Sequence, residues 1–497
     1  MIKTKNAVII GRDDNVAVAI EAINKGDRIM DIQAAEAIPA GHKIAIKPIA
    51  KGEHVIKYDH PIGTATADIA AGTHVHSHNL KTNLSGIEEY TYSPVAVPQW
   101  SASSFQETFM GYVRPSGQVG IRNEIWIINT VGCVNKIAEK LAAESGRRHY
   151  GRVDGVYTFV HPYGCSQLGA DHAYTQSILK NLTNHPNAAG VLVLGLGCEN
   201  NHIEEFKQVL GQWDDNRVKF LNTQDVSDDI AAGMSIIDEL VDYAETFKRE
   251  PVPVSKLVIG LKCGGSDGFS GITANVLVGS FSDAVIRRGG SCLLTEVPEM
   301  FGAETLLMNR CIDEGIFAKS VALINDFKEY FIRHNQEIYE NPSPGNKEGG
   351  ITTLEEKSLG CTQKGGMSQV VDVLNYGETV KKPGLNLLQG PGNDIVAVTN
   401  LTAAGAHIVL FTTGRGTPLG APVPTVKISS NTLLAANKPH WIDFDAGTLL
   451  NGDVTRLETL TDQFMDYILR LASGKELAKN EVNDYREISI FKDGVTL

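Results

Sequence analysis

From residue 111 onward one unit recurs: a short, largely apolar run, then glycine and cysteine, then a polar or helical stretch. Ile125-Trp126-Ile127-Ile128 leads to Gly132-Cys133, and Val153 to Val160 leads to Gly164-Cys165. Val191-Leu192-Val193-Leu194 leads to Gly197-Cys198, and Leu257-Val258-Ile259-Gly260-Leu261 leads to Lys262-Cys263-Gly264-Gly265. A strand that is apolar on both faces must be covered on both faces. In one chain that means helices on either side of a mainly parallel sheet. The fold class expected here is therefore α/β. A helix is expected from Lys136 to about Ser145, and further strands at Ser291–Thr295, Asn386–Leu388 and His407–Thr412. Arg249-Glu250-Pro251-Val252-Pro253 interrupts the pattern and divides it into two lobes, 111–250 and 251–497, the second including the C-terminal segment.

Residues 1–93 follow different rules. The pattern Ile-x-x-Gly-x-x-aliphatic recurs at Ile23-Gly26-Ile29, Ile38-Gly41-Ile44, Ile49-Gly52-Val55 and Ile69-Gly72-Val75. Each glycine suits a tight turn between short strands, which predicts a small, strongly bent β domain. The residue two after the glycine is Arg28, Lys43, His54 and His74 in turn. Asp13-Asp14-Asn15 before Val16-Ala17-Val18-Ala19-Ile20 reads as a capped helix start. Pro94, Pro98, Ser101, Ser103 and Ser104 mark a linker over 94–110.

The 497 residues suffice for about three domains without disulfide staples. A net charge of −13 argues against nucleic acid as a partner. No apolar run reaches the length of a membrane span, and the apolar stretch at the N-terminus is too short for an export signal. Seven scattered cysteines, an odd number, then read as reduced thiols of a cytoplasmic protein. A homo-oligomer, most simply a dimer, is the expected assembly.

Thr73-His74-Val75-His76-Ser77-His78-Asn79 places three histidines at every second position, so a strand would turn all three to one face. Same-face neighbours are ~6–7 Å apart, so a flat strand brings at most two to one ion. Metal or substrate contact outweighs the bland reading of rings bonded to loop backbone. His76 and His78 are the candidate metal ligands, and His74, His76 and His78 candidates for acid–base work. Cys133, Cys165, Cys198 and Cys263 all fall at predicted carboxyl ends of strands, the edge where α/β sheets bind ligands. They are expected around one pocket, where soft thiolates would suit iron, zinc or an iron–sulfur cluster. Cys361 has a similar setting; Cys292 and Cys311 read as packing. Glu296, with Glu299 beside it, is a further candidate metal ligand, against a solvated loop. Three loops look suited to a polyhydroxy acid: Ser266 and Asp267 in the first, Asn346 and Lys347 in the second, Arg415 in the third. Arg415 could take a carboxylate through two parallel bonds, and Lys347 is a candidate catalytic cation. Each has a plain surface turn as its alternative.

The blocks His74-Val75-His76-Ser77-His78-Asn79, Gly195-Leu196-Gly197-Cys198-Glu199-Asn200, Cys263-Gly264-Gly265-Ser266-Asp267, Asn341-Pro342-Ser343-Pro344-Gly345-Asn346 and Ser358-Leu359-Gly360-Cys361-Thr362 resemble the altronate dehydratase family, and the likeness extends to Phe491–Leu497. That family also takes in galactarate dehydratase and the sulfolactate sulfo-lyases. The resemblance implies an N-terminal SAF-type β-clip domain followed by a large α/β region. It also implies a hydro-lyase of hexuronate breakdown that forms 2-dehydro-3-deoxy-D-gluconate from D-altronate. Iron(II) is the implied cofactor, with manganese(II) as an alternative and a cluster left open. In the sulfo-lyases the SAF part is a separate subunit, which agrees with a seam at 94–110. The residue before the Cys263 block is Lys262, onto which no role is carried. The rival readings are dehydration of another sugar acid such as galactarate, carbon–sulfur lysis of sulfolactate, or a sugar-acid binding protein without catalysis.

Overall fold

The computed structural model describes residues 2–3, 6–98, 107–451 and 456–494. In the front module the four repeat glycines turn the chain as expected. Gly26, Gly41, Gly52 and Gly72 hold φ between +81° and +91°, a region glycine enters without strain. The isoleucines that open each copy meet in pairs, Ile23 with Ile38 and Ile49 with Ile69. Around them lies an antiparallel sheet ordered Ile2–Lys3, Ala7–Ile9, Val16–Ala19, Lys43–Ala45, His74–Val75. A second sheet joins Leu80–Lys81, His60–Ala65 and His54–Lys57.

Asp13–Asn15 do not start a helix. Val16, Ala17, Val18 and Ala19 form a strand with every side chain buried. The Asp14 carboxylate accepts the N–H groups of Gly11 (2.8 Å) and Asp59 (2.9 Å), so it closes a turn. Alternating β-branched valines sealed on both faces favour the strand.

Ser101, Ser103 and Ser104 of the expected linker lie outside the described residues, as do Val495–Leu497 of the C-terminal block. Thr108–Val113 pairs antiparallel with Glu250–Pro253, so the proline-rich interruption near 250 is itself a strand that ties the end of the middle region to its start.

The middle region is a parallel sheet of β1 (Glu124–Asn129), β2 (Gly155–Thr158), β3 (Ala188–Gly195) and β4 (Val218–Asn222), in the order β2-β1-β3-β4. The third region has β5 (Val258–Cys263), β6 (Ser291–Leu294), β7 (Val370–Leu374), β8 (Gly384–Leu388), β9 (Ile408–Thr413), β10 (Thr425–Ser429) and β11 (Phe444–Asp445). These run parallel in the order β7-β8-β6-β5-β9-β10-β11. One face of the smaller sheet, with Ile125 and Ile127, packs on Leu141 and Leu240 of its own helices. The other face, with Trp126 and Val193, shares a core with Leu388 and Phe411 of the larger sheet and with Leu401 of the helix Asp394–Ala403. Chain order reverses beside β1 and beside β5, and such switch points open a crevice at the carboxyl ends.

The front module closes over the carboxyl end of β5. Its seam has almost no thickness: a Cβ on Gly268 would lie 1.9 Å from Gly41 O, and one on Gly350 2.3 Å from the same oxygen. No helix among the described residues is long and apolar enough to cross a membrane.

Candidate active site

Val75 is fully buried in the front module, so strand alternation sends His74 and His76 out of it together. There they meet His42. The ring centroids of His42, His74 and His76 are 5.0–5.5 Å apart, and His78 lies 5.5 Å from His74. His42 Nε2 bonds the carbonyl of Glu348 at 3.0 Å, and His76 Nδ1 bonds Thr352 Oγ1 at 2.8 Å, so the imidazoles reach across the seam. In neutral His42 the proton then sits on Nε2, and Nδ1 accepts from His74 Nε2 at 3.0 Å. Burial, then the neighbouring imidazoles and Lys43, bring His74 down to about 4; burial, then Lys43 and the other rings, does the same to His76. Both are unprotonated at neutral pH.

The seam is also tied ionically. Helix Leu354–Cys361 is capped by Thr353, whose hydroxyl accepts the N–H of Glu356. The Glu356 carboxylate takes Lys43 Nζ on one oxygen and Lys57 Nζ on the other, each at 2.8 Å, with all three side chains buried. Burial opposes the charge on Glu356, but the two ammoniums outweigh it and hold the carboxyl at about 2. Burial likewise opposes Lys57, which Glu356 and Tyr58 nevertheless push above the ordinary lysine range.

Deeper, at the end of β5, lies a buried group of thiols and charges. Cys263 Sγ is 3.3 Å from Cys361 Sγ, and the two sulfurs are 3.2 and 3.3 Å from Glu299 Oε2. The Cys361 thiol donates to Cys263 and lowers it to about 6 against burial, with Lys364 Nζ helping at 3.0 Å. The same bond pushes Cys361 well up, so one sulfur is a thiolate and the other a thiol. Burial opposes ionisation of Glu299, but Lys357, Lys262 and Lys364 hold it below the usual carboxylate range. Lys357 Nζ is 2.8 Å from Glu299 Oε1. Glu296 pairs with Lys262, and its second oxygen accepts the N–H of Cys263 at 2.9 Å. Burial, with the Cys263 and Glu299 charges beside it, pushes Glu296 up. Cys263, Glu299 and Cys361 are the group of His, Cys, Asp and Glu donors among the described residues close enough to hold one metal ion. Two sulfurs and a carboxylate suit iron(II) in softness, provided Cys361 also ionises.

Residues 5–83 match the altronate/galactarate dehydratase SAF domain, 111–245 the second domain of D-galactarate dehydratase/altronate hydrolase, and 254–496 the D-galactarate/altronate dehydratase C-terminal domain. The chain is 54% identical to altronate dehydratase of Bacillus subtilis, over 99% of this chain and 100% of that one. It is also 54% identical to altronate dehydratase of Escherichia coli, over 97% and 98%. This chain belongs to the altronate/galactarate dehydratase family. Galactarate dehydratase of Escherichia coli is more distant, 33% identical over 93% of this chain and 92% of that one. As a family member the chain is an enzyme of the hydro-lyase type.

Within this family scaffold the residues singled out from sequence have separate fates. His74, His76 and His78 cluster, and Cys263 joins Cys361. The four cysteines expected around one pocket are divided between two sheets. Cys133, Cys165 and Cys198 are exposed at the edge of the smaller sheet, while Cys263 is buried at the larger one. The shared strand-end slot was real, but it recurs on each sheet. Glu296 lies in no solvated loop; it is buried against Lys262. Ser266 is buried with its hydroxyl unpartnered, beside a narrow cleft that also touches Lys57, Tyr58, Glu356 and Cys361. Asp267 is spent on its own loop, accepting from Phe269, Ser270, Ser430 and Asn431, and burial pushes its carboxyl up. Asn346 is likewise committed, accepting from Ser343 and donating to Ser266 O. Lys347 and Arg415 are exposed at the mouth of the seam, where Arg415 meets Glu348 and Gly345 O.

Sequence reasoning missed His42, Lys43, Lys57, Glu356 and Lys364 as parts of the site. A Thr-x-x-Glu start at Thr353–Glu356 and the position of Lys43 in the repeat were visible signals. Their meeting, 313 residues apart, was not. A wide cavity of about 1020 Å³ lies elsewhere, at the amino ends of β4, β5 and β6, among Arg114, Arg217, Lys180 and Lys256. It contains none of the residues singled out from sequence.

Proposed function

We propose that this chain converts D-altronate to 2-dehydro-3-deoxy-D-gluconate at the seam between the front module and the carboxyl edge of the larger sheet. The observation that carries the site is the meeting of neutral imidazoles with residues 348–352, of which Ile351 also lines the Ser266–Cys361 cleft. The substrate follows from the two altronate dehydratases at 54% identity over nearly the whole chain.

The reaction takes a proton from C2 and a hydroxyl from C3. His76 and His74, held unprotonated, accept the C2 proton as general bases. The C2 proton lands on His74 Nδ1, and the proton already on His74 Nε2 can then pass to His42 Nδ1. Arg415 and Lys347 meet the carboxylate at the mouth, and the unpartnered Ser266 hydroxyl orients a substrate hydroxyl. Iron(II) held by Cys263, Glu299 and Cys361 would supply Lewis-acid polarisation of a substrate oxygen, and the sulfur donors favour it over manganese. The enol product becomes the keto acid without help. Free space in the cleft is about 10 Å³, room for about one water, so the acid enters as the front module lifts. Seven free thiols favour a reducing compartment, the cytoplasm.

The test is a panel of aldonates and aldarates with iron(II) under reducing conditions, scored by keto acid. D-altronate should be turned over fastest. Preference for galactarate would replace the substrate, and sulfite release from sulfolactate would replace the reaction.

A further inference from the structure

Cysteine is among the most buried residue types, yet Cys133, Cys165 and Cys198 are exposed while the other four are buried. The three lie in the segments that follow β1, β2 and β3, which are adjacent strands; adjacent strands stand ~5 Å apart. The loops are laced together. Gly132 N donates to Tyr163 O at 2.9 Å, and Asn201 N to Gly164 O at 3.0 Å. Ser166 N donates to Asn200 Oδ1, and Thr130 Oγ1 to Glu199 Oε1, both at 2.7 Å. The glycine before each cysteine sits at a crossing. A Cβ would lie 2.6 Å from His161 O at Gly132, 2.0 Å from Thr130 O at Gly164 and 2.9 Å from Gln224 Oε1 at Gly197. At Gly132 and Gly164 the neighbouring atom is backbone, so only glycine lets the loops after β1 and β2 touch there, and the lacing brings Cys133, Cys165 and Cys198 to one edge. At the same strand ends the side-chain oxygens of Asn129, Asn201 and Thr223 are buried without a partner. The edge is also the switch point of this sheet, where a ligand crevice is expected.

The three thiols do not form a group tight enough to grip one ion. Sulfurs spread along one edge suit a polynuclear centre, and iron–sulfur clusters are held by cysteine thiolates. We propose that Cys133, Cys165 and Cys198 hold an iron–sulfur cluster, one iron of which has no cysteine ligand. The remaining cysteines are buried in the third region, so none is free to complete the set. The open iron is a Lewis acid for a carboxylate or hydroxyl oxygen. This centre is distinct from the seam and does not rest on the substrate proposed there.

The experiment is anaerobic preparation of the full chain, reconstituted with ferric and ferrous iron and sulfide where needed. Roughly four acid-labile sulfides per chain are expected, with about four irons beyond the one assigned to the seam, and a paramagnetic signal after dithionite. Cys133→Ser, Cys165→Ser and Cys198→Ser should each lose the cluster, and Cys263→Ser should keep it. Circular dichroism and gel filtration check folding. Where a variant misfolds, alkylation of the unmutated protein decides: the three thiols should be blocked by reagent before reconstitution and protected after it. Iron without sulfide after reconstitution, a triple variant that reconstitutes fully, or unprotected thiols would each overturn the proposal.

Discussion

The carboxyl edges of the two parallel sheets begin from the same pattern, an apolar strand ending in glycine and cysteine, and reach opposite states. At the larger sheet Cys263 is roofed by the front module and by helix Leu354–Cys361, and its proton is drawn off by Cys361 and Lys364. At the smaller sheet Cys133, Cys165 and Cys198 stand open on loops that lean on one another. The strand end chooses where a thiol sits. What covers that edge chooses its chemistry. One edge is sealed by charges arriving from far along the chain, the other is shaped by its own glycines.

The strongest way to break this contrast is to unseal the larger edge. Glu356→Gln leaves Lys43 and Lys57 buried without a counter-charge, which costs about 3–5 kcal/mol. Calorimetry of the full chain should show this as a lowered Tm. A shift equivalent to less than about 1 kcal/mol, the worth of an exposed pair, would mean the seal is held otherwise. Next, His76→Ala should lower turnover by about 10²–10⁴-fold while circular dichroism is unchanged. Unchanged turnover would remove the imidazoles from the reaction.

A smaller effect is expected in acid. Glu356 is depressed from 4.5 to about 2, so its stabilisation is present above 4.5 and lost as pH falls from 4.5 towards 2. Stability of the parent chain should fall across that window more steeply than that of Glu356→Gln; identical slopes would refute the ionic seal. The mildest probe changes no residue. In metal-free native protein a thiol reagent should titrate Cys133, Cys165 and Cys198 quickly, and the four buried cysteines after denaturation. Fast reaction at Cys263 would erase the distinction between the edges.

The parallel architecture was legible because β1, β3, β5 and β9 are apolar on both faces, a pattern with one common solution. β4 and β7 were not, since Lys219 and Asp372 interrupt them, nor was β10, which buries Thr425, Lys427 and Ser429. The histidines were legible because alternation needs no partner to be seen. Glu356 was not, because its role depends on two lysines from another domain. Asp14 misled for a related reason: an acidic residue ahead of a hydrophobic run serves a helix cap and a strand turn equally well.

The glycines at 41, 268 and 350 set the clearance of the seam at zero. A single methyl on Gly268, 1.9 Å from Gly41 O, would act as a shim that must push the front module back by about 1.5 Å to reach ordinary contact, enough to stretch the hydrogen bonds across the seam past their limit. Such a protein would keep every group needed for chemistry and leave the chamber flooded. The alignment of catalyst and roof is therefore a matter of tolerance, set where three residues have no side chain.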